Sequence, residues 1–438
     1  MRRLLIIIIF IPHIILCQET NNETSKRYIL IGGTAHIGNG EVVENSTIII
    51  EGEKIVAIGP SDLVIINKEI GITYNLNGKH IYPSFILPNT TLGLAEIDAV
   101  RATRDERETG DLNPNVRTQI AYNTESVVTS TVRTNGILIA QVTPRGDLIS
   151  GTSSIMKLDG WNWEDATYVK DDGIHLYWPE SHNYQHHGHS HVFTASDSSE
   201  DDEEKSEILE SVLTLKKIFQ EAQKYSSIKN KKTDLRLKSL QGLFNGAKKL
   251  YIHVNGANGI KESVLFAKRN NVKKIVLVGA SESWRITDFI LNHNIPIILG
   301  RVHSLPNHPE DDIDQPYKTP KILKDSGILF CLDYSGDMPR MGSRNLPFLA
   351  GTTVAYGLNK EEALQLITLN TAKILGIDDR TGSLETGKEA NLFISSGDAL
   401  DMISNNIEML FLMGKKLSLE NHQTKLYEKF SKKFELKK

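Results

Sequence analysis

A small set of side chains in this 438-residue chain has the chemistry to bind a metal or move a proton, and its members share one kind of position. His175 in GIHLYWP, His253 in YIHVNG, His303 in GRVHS and Asp333 in FCLDYSG each stand at or near the end of a short apolar run. Neutral imidazoles and carboxylates ligate divalent metals, and the same groups act as general acids and bases. Each has a simpler alternative, a strand-end side chain satisfied by a neighbour or by backbone N–H groups. Arg145, Arg301 and Arg344 could hold a carboxylate bidentately, although salt bridges are the commoner use of such residues. HNYQHHGHSH adds five more imidazoles, His182, His186, His187, His189 and His191, beside an acidic tract. Incidental metal binding, or none, is the simpler expectation there. Trp161, Trp163 and Glu164 in LDGWNWEDA could line a pocket mouth or an interface, or pack against a neighbouring loop.

These residues need a scaffold, and the hydrophobic pattern supplies one. Eight apolar strand candidates run through the middle of the chain: IYPSFILP, NGILIAQVTP, SSIMKLDG, DGIHLYWP, KKLYIHVNG, KKIVLVGAS, IPIILGRVHS and GILFCLDYSG. IKESVLFAKRN and SWRITDFILNHN are helical segments between them. Eight buried strands with intervening helices predict a (β/α)8 barrel of the TIM type over residues 81–380. In such barrels the reacting groups sit at the C-terminal ends of the strands, where the four residues above fall. Residues 27–80 and 381–418 read as short strands separated by Gly-containing turns. Neither group is large enough to be stable alone, so the two are expected to pair as one composite β-sandwich domain. The interval of about 180–206, His-rich and then acidic, is expected to be an exposed loop followed by a helical pair.

Composition narrows the partners. A formal charge of −4 with 39% hydrophobic and 24% charged residues describes a globular chain with no basic surplus for nucleic acid. The basic C-terminal end, KLYEKFSKKFELKK, reads as a solvated helix face. Residues 1–17 carry Arg2 and Arg3 ahead of an apolar stretch too short to span a bilayer, the pattern of a secretory signal. Cleavage after Cys17 would send the protein to the periplasm or the exterior, with no membrane span in the mature chain. Lipidation at Cys17 is the weaker alternative, because Leu16 is bulky where a small residue is usual. Cys331 would then be the one remaining cysteine, which excludes an intrachain disulfide.

GLNKEEALQLITLNTAKILGIDDRTGSLETGKEANLFI, residues 357–394, resembles the C-terminal signature of metal-dependent amidohydrolases, most closely the imidazolonepropionase-like branch. ILIGGTAHIGNG and IIIEGEKIVAIGP resemble that family's opening β-domain, so the similarity covers nearly the whole mature chain. Asn359 with Glu361 and Glu362 also reads as a helix start on physical grounds alone. The resemblance implies one or two divalent metals, commonly zinc, held by His-x-His on the first strand, a carboxylated Lys or other ligand on the fourth, His on the fifth and sixth, and Asp on the eighth. His253 and Asp333 match two of those positions, with Asp333 as the general base and Asp337 as a fallback. His175 falls where the Lys would be, and His303 could complete a different set.

The chain departs from this pattern where the first strand ends. Asn89, Thr90 and Thr91 replace the two imidazoles, and none of the three is a good zinc ligand. Gly279 and Ala280 stand in the sixth-strand position, with Glu282 just beyond. Asn89, Thr91, Arg145 and Arg301 become candidate substrate contacts. Two functional expectations follow. One is an exported hydrolase of a non-peptide C–N bond, that of a cyclic amide among the candidates, with an altered metal site. The other is an inactive relative that binds a small molecule or pairs with an active amidohydrolase, alongside simple homo-oligomerisation.

Overall fold

The computed structural model describes residues 26–65, 71–180, 198–228, 232–334 and 339–434. The expected signal sequence, Cys17, the five-histidine cluster and Asp337 lie outside them.

The two chain ends build one sheet. Its N-terminal strands are β1 (Arg27–His36), β2 (Val42–Glu51), β3 (Lys54–Pro60), β4 (Ile72–Asn75) and β5 (His80–Pro83). Eight further strands, described below, intervene before β14 (Leu392–Ser395), β15 (Ile407–Leu412) and β16 (Lys415–Leu417) complete it. Its order is β16-β15-β14-β5-β1-β2-β3, with β4 also on β1. The seam is antiparallel: Tyr82 faces Phe393 and Ile81 faces Ile394 across β5 and β14. Leu30, Ile48, Ile50, Ile81, Ile394 and Phe411 fill its core. Neither end carries enough strands to cover this apolar face, so pairing them is the low-energy solution.

The second sheet is the barrel wall, built from β6 (Phe85–Thr90), β7 (Ile137–Val142), β8 (Ile149–Lys157), β9 (Thr167–Tyr177), β10 (Lys249–Val254), β11 (Ile275–Gly279), β12 (Ile297–Leu299) and β13 (Phe330–Leu332). Its strands follow one another in chain order from β6 to β13. Every residue of β6, β7, β12 and β13 is buried, which explains why these strands read as continuous apolar runs. Between β13 and β6 the chain segment at Leu366–Ile367 bridges: Leu332 N–H donates to the Leu366 carbonyl and Ile86 N–H to that of Ile367.

One strand departs from the regular repeat. β8 pairs antiparallel with both β7 and β9, so β7, β8 and β9 form a meander in place of two helical crossovers. The hydrophobic run alone does not report direction. What allows it is that neither connection, 143–148 or 158–166, reaches the dozen or so residues that a parallel crossover needs.

Helices fall largely where the pattern places them. IKESVLFAKRN lies in helix Ala257–Arg269, and SWRITDFILNHN forms a 3₁₀ turn, Ser283–Ile286, running into helix Thr287–His293. Helix Lys360–Gln365 begins in a reciprocal capping box between Asn359 and Glu362. The acidic tract corrects the loop expectation: from Ser198 onward it is the first part of helix Ser198–Tyr225, paired with helix Leu235–Asn245. Carboxylates in the first turns of a helix are favoured by its dipole, so acidity there supports helix and does not oppose it. The basic C-terminal stretch is helix His422–Lys433, largely exposed as expected.

Candidate functional site

The parallel register of β9 and β10 pairs His175 with Tyr251 and Tyr177 with His253. The two histidines are therefore diagonal neighbours, and each ring lies flat on the other strand's tyrosine. His175 stacks on Tyr251 at 4.7 Å between centroids, and His253 on Tyr177 at 4.1 Å. The rings meet directly, His175 Nδ1 to His253 Nε2 at 2.9 Å. Burial pushes both imidazoles well below their usual range, reinforced for His175 by His253 and for both by the Arg145 guanidinium. Both rings are neutral, and one N–H is shared between them.

A second contact joins the first and eighth barrel strands. Asn89, at the end of β6, donates from Nδ2 to Asp333 Oδ2 at 2.7 Å; Asp333 is fully buried. Asn89 adopts a left-handed backbone (φ 49°), a conformation asparagine tolerates better than most residues. Its backbone N–H donates to Gln141 Oε1, and its own Oδ1 and carbonyl oxygen accept from Arg145 at 3.0 and 2.8 Å. Arg145 thus fastens the end of β6 and brings a permanent positive charge beside the histidine pair.

The loop after β6 is tied over this centre. Arg145 N–H donates to the Glu106 carbonyl, and the Glu106 carboxylate takes Arg340 Nη1 at 2.5 Å. Arg340 also donates to Thr91 and pairs with Asp98. Arg340 and Glu106 are both buried, so this ion pair fixes the loop to the segment after β13.

Of the residues read from sequence, His175, His253, Asp333, Asn89 and Arg145 converge on the C-terminal ends of the strands. Thr91 is buried and its hydroxyl accepts from Arg340. His303 is exposed and turned to the Thr352 hydroxyl at 2.8 Å. Arg301 lies over the Tyr334 ring. Arg344 gives its backbone carbonyl to Asn135. Trp161 is exposed, while Trp163 packs on a small cluster with Leu94, Tyr122 and Met156.

Several structural contributors escaped the sequence reading. Asp172, nearly fully buried on β9, accepts from Gln141 at 2.9 Å, Ser153 at 2.7 Å and Tyr251 at 2.7 Å. Glu180 accepts from the backbone of Asn255 and Gly256, and Glu282 from Ala257 and paired with His308, so two carboxylates hold the turn after His253. Glu282 stood out only by its position beyond the sixth strand; the others carry no periodic or motif signal.

A divalent metal would need several oxygen or nitrogen lone pairs aimed at one point. The His175–His253 hydrogen bond engages one imidazole lone pair, and Asp333 Oδ2 accepts from Asn89. Arg145, held on Asn89, already sets a positive charge against both histidines, and a metal ion would add to it. Among the described residues no group of three or more His, Cys, Asp or Glu side chains could hold an ion. This donor set does not fit the family's metal centre.

Residues 248–420 match the profile of the amidohydrolase family. A solved amidohydrolase structure from Thermotoga maritima has a TM-score of 0.76 at 20% identity, covering 89% of this chain and 99% of that one. A Xaa-Pro dipeptidase structure with bound methionine gives 0.54 at 15% identity, covering 90% and 100%, and a molinate hydrolase 0.55 at 13%, covering 90% and 95%. The family match thus lies in residues 248–420, and the chain shares its overall fold with these solved structures. In sequence it is similar to the imidazolonepropionase of Thermoplasma volcanium, 34% identical over 89 residues. That match spans 20% of this chain and 21% of the relative's length.

Proposed function

We propose that this chain is a non-hydrolysing member of the amidohydrolase fold, a binding or partner subunit that keeps the barrel and has given up the metal-activated water. The direct His175–His253 hydrogen bond carries the reading. It joins, across β9 and β10, two side chains that would otherwise offer their lone pairs to one ion. Arg145 supports it, because a guanidinium whose charge already acts on both histidines also repels a dication bound by them. The N-terminal seventeen residues support export to the periplasm or beyond, with an active amidohydrolase relative as the partner.

The hydrolase reading, cleavage of a non-peptide or cyclic-amide C–N bond, rests on the retained His253 and Asp333. Elemental analysis of purified mature protein separates the two. The proposal expects substoichiometric transition metal and no turnover of cyclic or acyclic amides after zinc, manganese or iron is added. One equivalent of metal that is lost in His253→Ala, together with amide turnover, overturns it.

A further inference from the structure

The barrel's other end is built differently from the tied-down face that carries the histidines. A cavity of about 670 Å³ opens where β10 to β13 begin, remote from Asn89 and Arg145. Lys170, Lys249, Lys268, Lys273, Lys274 and Lys373 line it. They come from β9, from the start of β10, from helix Ala257–Arg269, from the turn before β11 and from helix Leu369–Leu375, so separate elements aim their lysines at one concavity.

Two of the six are spent on the fold: Lys249 donates to the Leu375 carbonyl and Lys268 to that of His293. Lys170, Lys273, Lys274 and Lys373 form no ion pair with a described residue. The carboxylates in the lining do not answer them. Asp171 is paired with Arg117 at 2.7 Å, and Asp172 is held by Gln141, Ser153 and Tyr251. Like charges gathered in a concave wall raise the local potential and concentrate counter-ions, here on a chain whose formal charge is −4. Val272, Ile275, Ile295, Pro296 and Leu329 give the same cavity an apolar floor.

We infer that this cavity is a binding site for a small polyanion, a compound carrying two or more linked phosphate groups. Tripolyphosphate is the probe, titrated calorimetrically into the full mature protein at low ionic strength. One saturable site is expected, with affinity falling steeply as salt is added. The double variant Lys274→Ala/Lys373→Ala should lose on the order of 25-fold, about fivefold for each ammonium contact. Lys274→Arg/Lys373→Arg should retain binding, which separates lost charge from lost folding. Lys425→Ala, on the C-terminal helix, should bind as the unsubstituted protein does. Absence of saturable binding overturns the inference, as does unchanged affinity in the double alanine variant or an equal loss in Lys425→Ala.

Discussion

Replacing Asn89 tests the proposed site's architecture most directly, because one amide joins its acidic and basic parts. Asn89 Nδ2 serves the fully buried Asp333, and Asn89 Oδ1 serves Arg145. Hydrogen bonds to charged groups contribute about 1.5–3 kcal/mol each. Arg145 keeps the Asn89 carbonyl at 2.8 Å in any variant, so its loss lies at the low end. Removing the side chain should therefore cost about 3–4 kcal/mol. The backbone adds a separable effect. At φ 49° alanine is strained by about 1–2 kcal/mol, partly offset by its smaller unfolded-state entropy, whereas glycine is at ease. Asn89→Gly should lose the side-chain contribution alone, and Asn89→Ala about 1 kcal/mol more. The assay is urea denaturation followed by tryptophan fluorescence, comparing midpoints at constant slope. The expected order of stability is unsubstituted protein, then Asn89→Gly, then Asn89→Ala. An alanine variant within about 0.5 kcal/mol of the parent, the scatter of an ordinary surface change, would refute the bridging role. Glycine falling below alanine would refute the backbone argument.

Two further outcomes follow from the same contacts. Arg340→Ala removes one of the two arginines on the buried Glu106 carboxylate, leaving Arg104, and should cost about 1.5–3 kcal/mol, with residues 94–117 becoming the first site of limited proteolysis; an unchanged digestion pattern would show that the ion pair does not hold the loop. Burial raises the Glu180 carboxyl from 4.5 to about 7, against the pull of its two backbone donors. The folded state then binds a proton that the unfolded chain has released, so stability falls as pH rises from 4.5 to 7, and Glu180→Gln should flatten that slope. Parallel slopes in parent and variant would refute it.

The sequence foretells the scaffold better than the site. Strand positions are legible because parallel strands buried on both faces demand unbroken apolar runs, as in ILIAQV and IVLVG. The helix opened by Asn359 is legible because capping depends on local chemistry. The direction of β8 is not, since SSIMKLDG would be equally apolar either way. His253, Asp333 and the missing His-x-His are visible as a motif and its absence. Their partners are not: Asn89 meets Asp333 across 244 residues, and Asp172 is bound by three residues that share no spacing rule. The lysine-lined cavity is invisible for a related reason. Each lysine reads as an ordinary solvated charge on its own element, and only the closing of the barrel brings the six together.

The seam between β5 and β14 has a consequence for how the chain is made. Tyr82 and Phe393 face each other across that seam with the whole barrel lying between them in the chain, and just past β14 the Ala399 N–H, 317 residues from Tyr82, donates to the Tyr82 hydroxyl. β1, β2 and β3 can pair as soon as they emerge, but the edge of β5 has no antiparallel neighbour until the barrel has been synthesised and β14 arrives. During that interval a sheet edge with Ile81 and Tyr82 stands open to any other strand, the circumstance in which chains mispair with copies of themselves. Non-local closure of this kind is slow, because the ordering entropy of a long loop is lost before its contacts form. The last strands of the chain therefore act as the latch of its first domain, and a truncation that spares the entire barrel would still leave that domain unfinished.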